Sequence, residues 1–549
     1  MNKKITTCLA LIFLLSFLCF CISCKKQNLK EETLPQKDNA VSESSSISAY
    51  PLQFEFDIEE KGYKVTGLKS EMEIDDLIIP DEYNGLPVTS IGKEAFRGND
   101  FKTICLGNNV KTIDENAFES SSTIKMIKIP DNVEEIGSMA FFGCKRLESV
   151  IIGNGVKFIG DEAFGACDIL FSLEIGENVN YMASNAFSYC RRLVEINNHS
   201  KIEVQYRKTG EYNLGTCALN IANKGDVFSS NLSKDNGFVV YTEGTEKFLV
   251  SYDGSEDKLT IPSYITRINQ FAFYNIENIK EVWIGDNIKE IGEAAFYGCS
   301  VQSVFINANA LTIKKESFAY CSNLFKVIIG DEILGIDDRA FYYCKKLSSV
   351  TLGKNMTDIH YEAFEECGKI VEVINNSRLD IRKESIGNGG VAENALVVSN
   401  CDANYTSRVS IDDGYIIYNE GLSFVLLSYV GEEKDLVIPN YVTEIMEKAL
   451  IDEGMKSVVI GENVLAIGWF AFYRCYNLEK VTIGKSVVFI GGEAFSKCSS
   501  LESVIFEDTT DWFFQNYQET IRLMVTNATK NADNLSWNYT FGEWIKMTH

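Results

Sequence analysis

A solenoid of stacked, parallel β-strands is predicted by three features of the sequence. An Ala-Phe pair, or a close variant of it, returns every 22 or 23 residues within three groups. The units carry the strand pattern L-x-x-V-x-I or a close variant of it, in which alternate side chains face inward. A unit this short cannot bury its own apolar face, so it has to stack on its neighbours. The repeated positions are Phe96, Phe118, Phe141, Phe164 and Phe187, then Phe273, Phe296, Phe318, Phe341 and Phe364, then Leu450, Phe472 and Phe495.

One complete unit, from Ile136 to Ile159, shows how a coil is expected to close. Leu147, Val150 and Ile152 form the inward side of its strand. The glycine that follows the isoleucine at the end of several units, such as Gly160, is expected to supply the backbone angles of the next corner.

The unit I-G-x-x-A-F-x-x-C-x-x-L-x-x-V-x-I-G/P resembles the repeat of the BspA-type leucine-rich repeat family over most of residues 77–506, in about thirteen copies. The resemblance implies a leucine-rich repeat solenoid, α/β by convention, with mostly short parallel β-strands and turns and little helix. It also implies a surface protein of a host-associated microbe, and several such proteins bind host matrix proteins or other cells. It implies no catalytic residues.

The amino terminus, residues 1–24, resembles a bacterial lipoprotein signal peptide. A basic start precedes an uncharged apolar run, Leu9–Ile22, which is short for a membrane span. Ser23 is the small residue before Cys24, and Cys24 is therefore predicted to be the lipidated first residue of the mature protein. The alternative is an ordinary cleaved signal peptide, which would release the protein.

A longer period divides the remaining chain into three blocks, because Pro439 follows Pro262 by 177 residues and the sequences around them match. Each spacer ends in alternating apolar runs, which predict a β-hairpin or meander that restarts the stack. The aromatic tail, with Trp512, Trp537 and Trp544, predicts a cap over the last repeat. The predicted organisation is a flexible polar tether (25–52), an N-terminal cap and first repeat block (53–196), a spacer (197–260), a second block (261–374), a spacer (375–437), a third block (438–506) and a C-terminal cap (507–549).

Nine of the cysteines lie three residues after the repeated Phe and are predicted to form a column of buried, free thiols. Occasional disulfides between neighbouring coils are the alternative. One ligand in every coil does not build a tetrahedral zinc site, so no metal is expected. The nine residues are Cys144, Cys167, Cys190, Cys299, Cys321, Cys344, Cys367, Cys475 and Cys498.

Charge and composition argue against catalysis and against nucleic-acid binding. The formal net charge is −25, from 52 Lys+Arg against 77 Asp+Glu, so polyanions meet a repulsive field. His199, His360 and His549 are the only histidines of the sequence, which leaves little material for activating a nucleophile. No Gly-rich phosphate loop occurs. A non-enzymatic protein without a cofactor is therefore predicted.

A candidate binding surface follows from the alternation within the strands. The residue between the inward Val and Ile points outward, and in three consecutive coils this residue is Trp283, Phe305 and Ile328. These side chains are predicted to form an exposed apolar stripe, with Glu281 and Lys326 as rim charges. The alternative is that a spacer folds over the stripe. The full outward column is Lys128, Ile151, Glu174, Trp283, Phe305, Ile328, Thr351, Val459, Thr482 and Ile505.

The favoured functional hypothesis is an adhesin-like lipoprotein at the bacterial cell surface or outer membrane, which contacts the membrane through its lipid anchor alone. Its partner would be a host extracellular-matrix or cell-surface protein, or another microbial surface protein. A second hypothesis is an envelope scaffold without a diffusible ligand, and a third is carbohydrate binding through the exposed aromatic residues.

Overall fold

The computed structural model describes residues 51–69, 74–206, 214–401, 405–516, 520–538 and 540–546. The predicted signal peptide, the predicted lipidation site Cys24 and nearly all of the predicted tether lie outside these residues. The chain forms two compact units, Met1–Ser230 and Asn231–His549.

The first unit is built from parallel coils, and most coils contribute one strand to each of two sheets. Strands that contain the V-x-I residues form face sheets, and the strands just before the Ala-Phe corners form a short-strand sheet. An antiparallel hairpin starts the short-strand sheet at the N-terminal end. The face strands are Asp76–Ile78, Thr103–Cys105, Met126–Ile129, Ser149–Ile152, Ser172–Ile175, Glu195–Asn198 and Asn220–Ala222. The short-strand sheet contains Leu52–Asp57, Gly62–Leu68, Glu82–Tyr83, Leu86–Ile91, Thr112–Ile113, Glu135–Ile136, Phe158–Ile159 and Tyr181–Met182.

The second unit begins with the predicted meander and continues as the coils of the second block. The last meander strand pairs in parallel with the first short strand, which restarts the stack as predicted. The meander and short strands are Leu232–Asp235, Phe238–Glu243, Glu246–Tyr252, Arg267–Ile268, Glu290–Ile291, Thr312–Ile313, Gly335–Ile336 and Asp358–Ile359. The face strands are Lys258–Thr260, Glu281–Ile284, Ser303–Ile306, Lys326–Ile329, Ser349–Leu352, Glu372–Asn375 and Val397–Asn400, and a 3₁₀ turn spans Asn388–Gly390.

The third block repeats this arrangement within the second unit and ends in the cap. Its meander and short strands are Val409–Asp412, Tyr415–Asn419, Phe424–Tyr429, Glu444–Ile445, Ala466–Ile467 and Phe489–Ile490. Its face strands are Asp435–Val437, Ser457–Val459, Lys480–Ile483 and Ser503–Phe506. The cap contributes strands Trp512–Gln515, Thr520–Leu523 and Glu543–Lys546, the α-helix Ala528–Asp533 and a π-helical turn Asn534–Asn538.

The leucine-rich repeat solenoid predicted from the sequence is confirmed, and the repeated phenylalanines explain how its coils pack. Their rings are buried and lie face to face along each block. Phe341 and Phe364, for example, have ring centroids 5.1 Å apart and planes 2° apart. Because each ring covers its neighbour, the apolar core continues from coil to coil without a gap.

The predicted cysteine column is buried, and its thiols are free. Most of these thiols also have a polar role that the sequence did not reveal. The Sγ of Cys367 donates a hydrogen bond to the carbonyl oxygen of Phe341 in the preceding coil, at 3.0 Å, and Cys344 does the same to Phe318, at 3.2 Å. The thiol therefore satisfies a buried corner carbonyl. Burial also raises the pKa of Cys144 to about 12, which makes this thiol a poor nucleophile.

The reason predicted for the Ile-Gly glycines is wrong. These glycines do not adopt left-handed backbone angles; residues such as Met139 and Ala166 do so instead, with φ of 54° and 53°. A Cβ atom on Gly160 would lie 2.6 Å from the backbone nitrogen of Ser138 in the preceding coil. Glycine is needed at this position because two coils approach each other closely.

The first half of each predicted spacer contains one more coil, because strands Asn220–Ala222 and Val397–Asn400 extend the face sheets in parallel. The repeated I-N-N motif supports this irregular coil. Asn375 Nδ2 donates to the carbonyl of Leu379 at 2.9 Å and to the side-chain oxygen of Asn400 at 2.7 Å. The motif therefore replaces apolar packing with hydrogen bonds where the repeat pattern fails.

The C-terminal cap covers the end of the third block, as predicted. Trp512 and Trp544 are buried against its last coil, and the side chain of Trp537 lies outside the described part of the chain. Strand Glu543–Lys546 pairs antiparallel with the last short strand, which ends the parallel stacking. Asn531 Nδ2 donates to the carbonyl of Val504 at 3.0 Å, so the cap helix also supplies a partner for the last face strand.

Candidate functional site

The outward column of the second block has the orientation that the alternation predicts. In strand Glu281–Ile284, Val282 and Ile284 are buried, whereas Trp283 keeps 46% of its surface exposed. Trp283 pairs in register with Phe305, and Phe305 pairs with Ile328. The three residues therefore occupy adjacent coils and form one surface, named the apolar strip.

The two aromatic rings of the apolar strip are ordered by contacts within the sheet itself. The rings of Trp283 and Phe305 are stacked, with centroids 3.9 Å apart and planes 7° apart. The indole N–H of Trp283 donates to Oε1 of Glu281 at 2.7 Å. Both side chains are thus held in place by contacts within the sheet.

The rim charges lie on one edge of the strip. Glu281 is in register with Ser303, and Ser303 is in register with Lys326, so the two charges are two coils, roughly 10 Å, apart. The other edge carries Gly285, Asn307 and Gly330, which follow the strands. The edges therefore differ, with opposite charges along one and small or uncharged residues along the other.

The exposure of Trp283 shows that the described residues leave the strip open. Phe305 and Ile328 are half-buried by their own coil neighbours. Thr260 is in register with Trp283, and Thr351 is in register with Ile328. The apolar strip is therefore bounded by a threonine at each end of the column.

The equivalent column of the third block is a second apolar surface, which the sequence pattern revealed only in part. Val437, Val459 and Ile505 are 62%, 38% and 52% exposed, and Thr482 lies between the last two in register. Val437 was missed because its strand precedes the first recognisable repeat of the block. The signal for it was present, since Val437 stands before Ile-Pro as Thr260 does.

A ladder of tyrosines at the corners of the second block was also missed. Tyr274, Tyr297, Tyr320 and Tyr343 follow the repeated Phe by one or two residues, and their successive ring centroids are 5.5, 5.0 and 5.1 Å apart. Reading the positions one and two residues after each Phe would have found it.

The described residues show no arrangement typical of catalysis. His199 lies 3.4 Å from Glu174 in the first unit, and His360 lies 3.5 Å from Asp338 in the second unit. Each of these two histidines is therefore paired with a single carboxylate of its own unit. His549 falls outside the described chain. Within the described ranges, no group of three or more His, Cys, Asp or Glu is placed to hold a metal ion, and no helix there has the length and apolarity needed to cross a membrane.

Parallel coils with a Phe column, a thiol column and an outward strand column define a leucine-rich repeat protein. The chain belongs to the BspA-type leucine-rich repeat family, whose model matches residues 89–212, 249–371 and 428–540 in six copies. This is a family of bacterial surface proteins, and its fold typically serves as a non-enzymatic scaffold for protein binding.

Solved structures of bacterial leucine-rich repeat proteins are similar to the chain in fold. A leucine-rich cell surface protein from Faecalibacterium prausnitzii is 19% identical, with 64% of this chain and 98% of that chain covered and a TM-score of 0.31. The pneumococcal vaccine antigen PcpA is 18% identical, with 58% and 73% covered and a TM-score of 0.33. A Bacteroides ovatus protein is 18% identical, with 84% and 100% covered and a TM-score of 0.24. No curated protein matches the chain.

Proposed function

We propose that the protein is an adhesin-like surface lipoprotein, anchored through Cys24, that binds a protein partner through the apolar strip. The partner is a host extracellular-matrix or cell-surface protein, or another microbial surface protein. The observation that carries the proposal is the stacked pair of the exposed Trp283 and the half-buried Phe305 on the face sheet of the second block.

The chemistry of the strip favours a protein over a sugar as its partner. Buried aromatic residues supply much of the binding energy of protein interfaces, particularly when they are held rigid before binding. A sugar ring packs on an open aromatic face. Here Trp283 and Phe305 cover one face of each other, and Ile328 follows Phe305 on its other side. Apart from the outer face of Trp283, which lies beside Thr260, the strip therefore offers ring edges and aliphatic groups, which suit apolar side chains of a protein.

The two rim charges favour one orientation of the bound partner. A partner with a cationic group near Glu281 and an anionic group near Lys326 is favoured in one orientation and repelled in the reverse one. Charges at the rim act mainly on the rate and the salt dependence of association, because they stay partly solvated. The affinity is therefore expected to come from the aromatic pair.

A pull-down from host extracellular-matrix extract, compared between matched variants, tests the proposal. The double substitution Trp283→Ser and Phe305→Ser removes the aromatic pair, while Val459→Ser and Ile505→Ser removes apolar surface of similar exposure in the third block. We expect the wild type and the third-block variant to retain the same partner and the strip variant to lose it. All three should unfold at nearly the same temperature, because the altered side chains lie outside the core.

Two results would contradict the proposal. Retention of the partner by the strip variant would show that the binding surface lies elsewhere. Loss of the partner from the third-block variant alone would assign binding to the column of Val437, Val459 and Ile505.

A further inference from the structure

The second and third blocks meet inside the second unit at a contact that the repeat pattern does not predict. Phe325 and Val371 of the second block pack against Ile416, Tyr418 and Leu427 of the third-block meander. This contact, together with the polar groups around it at residues 346, 369, 372, 428, 449 and 453, is named the block joint. The meander strands Tyr415–Asn419 and Phe424–Tyr429 are buried on both faces, since their alternate residues enter the core of the third block.

A buried carboxylate fixes the connection between the blocks. Glu372 accepts hydrogen bonds from the hydroxyls of Ser349, Tyr405 and Ser407, at 2.5, 3.0 and 2.6 Å, and from the backbone N–H of Arg408, at 2.7 Å. The chain that enters the third block is thereby attached to the last regular coil of the second block.

Two lysines at corners of the second block reach across the joint. Lys346 Nζ donates to the carbonyl of Tyr429 at 2.5 Å and forms an ion pair with Glu453 at 2.8 Å. Lys369 Nζ donates to the carbonyl of Ala449 at 2.7 Å and to the hydroxyl oxygen of Ser428 at 3.2 Å. Lys346 therefore has a carboxylate partner, whereas the acceptors of Lys369 are both uncharged.

The surroundings of Lys369 match a neutral amine better than an ammonium group. A neutral amine has two N–H donors, and Lys369 has two acceptors, Ala449 and Ser428, both of which are buried. An ammonium group has three donors and a charge that is costly to enclose. Part of the Lys369 side chain remains accessible to solvent, but its amino group is enclosed by protein.

The charged groups that face Lys369 only partly compensate for its burial. Burial lowers the pKa of Lys369 to about 7, the carboxylate of Glu453 opposes this shift, and Lys346 and Lys345 add to it. Glu453 is already paired with Lys346. Its attraction is thus shared between two lysines from the second block.

We propose that Lys369 makes the block joint a proton-controlled hinge, which closes on the neutral amine and loosens when the amine takes up a proton from solvent. In an open joint the pKa of Lys369 returns to the ordinary lysine value of 10.5, whereas in the closed joint its pKa is about 7. The open form therefore binds more protons between these values, so closure is favoured as the pH rises from 7 towards 10.5. Below about pH 7 both forms are protonated, and the open fraction stops rising.

Hydrogen exchange of the Arg408 amide, whose N–H bonds to Glu372 across the joint, tests this hinge when it is measured at pH 7 and pH 9 and divided by the intrinsic exchange rate. For the wild type we expect at least about tenfold weaker protection at pH 7 than at pH 9, because one proton is linked to opening. Lys369→Met keeps an apolar stem and cannot titrate, so its protection should be equal at the two pH values, whatever its level. Lys369→Arg is permanently charged and should be weakly protected at both.

The controls separate the hinge from general unfolding. Lys448→Met alters an exposed lysine of the third block, which pairs with Glu447, and should behave as the wild type. Strand Ser303–Ile306 of the second block should keep the same protection in every variant. The proposal is overturned if the wild type shows no pH dependence, if Lys369→Met keeps the wild-type dependence, or if Lys369→Arg is as well protected as the wild type at pH 9.

Discussion

The first and second blocks have the same interior and different outward columns. Their inward strand residues are of the same buried aliphatic type: Val150 and Ile152 in the first block correspond to Val304 and Ile306 in the second. The outward residues are Lys128, Ile151 and Glu174 in one block and Trp283, Phe305 and Ile328 in the other. A buried side chain has to fit the equivalent inward residue of the next coil, whereas an outward one meets solvent. The outward column is therefore where the blocks of one fold differ in surface chemistry.

The largest loss of stability should come from truncating a side chain of the core while the surface residues are unchanged. Phe341 is buried between Phe318 and Phe364, with both neighbouring rings stacked on it. Phe341→Ala leaves a cavity that the two rings cannot fill and should lower the free energy of unfolding by about 3–5 kcal/mol. Phe305→Ala, in the apolar strip, should cost about 1 kcal/mol, mainly through the lost contact with Trp283. Urea unfolding followed by circular dichroism compares them, and equal losses would contradict the distinction between inward and outward positions.

A smaller effect should come from one methyl group placed between two coils. A Cβ on Gly292 would lie 2.5 Å from the backbone nitrogen of Gln270, whereas a Cβ on Gly368 meets no atom within 4 Å. Gly292→Ala should therefore destabilise the second block by about 1–3 kcal/mol through overpacking. Gly368→Ala should be neutral or slightly stabilising, because it restricts the unfolded chain. If both variants unfold at the wild-type urea concentration, the close approach of the coils is not what requires glycine.

Local periodicity made most of the fold predictable. A coil of 22 or 23 residues contains its own strand, corner and turn, so the Phe, Cys and V-x-I positions could be assigned from the sequence and are buried as expected. The outward direction of Trp283 followed from the same alternation. The function of the strip stays a prediction, because the identity of a partner is not encoded in the geometry of a coil.

Contacts outside the period were not predictable from it. Lys369 bonds to Ala449, which is 80 residues away, and nothing in the spacing of either repeat indicates that these two corners meet. The extra coils at Asn220–Ala222 and Val397–Asn400 were assigned to spacers because polar bonds replace their apolar pattern. The role of Gly160 could not be predicted for a related reason. The space available for a Cβ atom at this position depends on the backbone of the preceding coil.

The most direct test of the stacked register is disulfide formation between introduced cysteines on the outward column, in a Cys401→Ser background that removes an exposed thiol. Ile328 and Thr351 are paired on adjacent strands, about 4.8 Å apart, which lies within the Cα separation of a disulfide. The variant Ile328→Cys with Thr351→Cys should therefore cross-link under mild oxidation, as judged by mass spectrometry. Phe305→Cys with Thr351→Cys, two coils or roughly 10 Å apart, should stay reduced. Cross-linking of the distant pair, or none of the adjacent pair, would contradict the stacked solenoid.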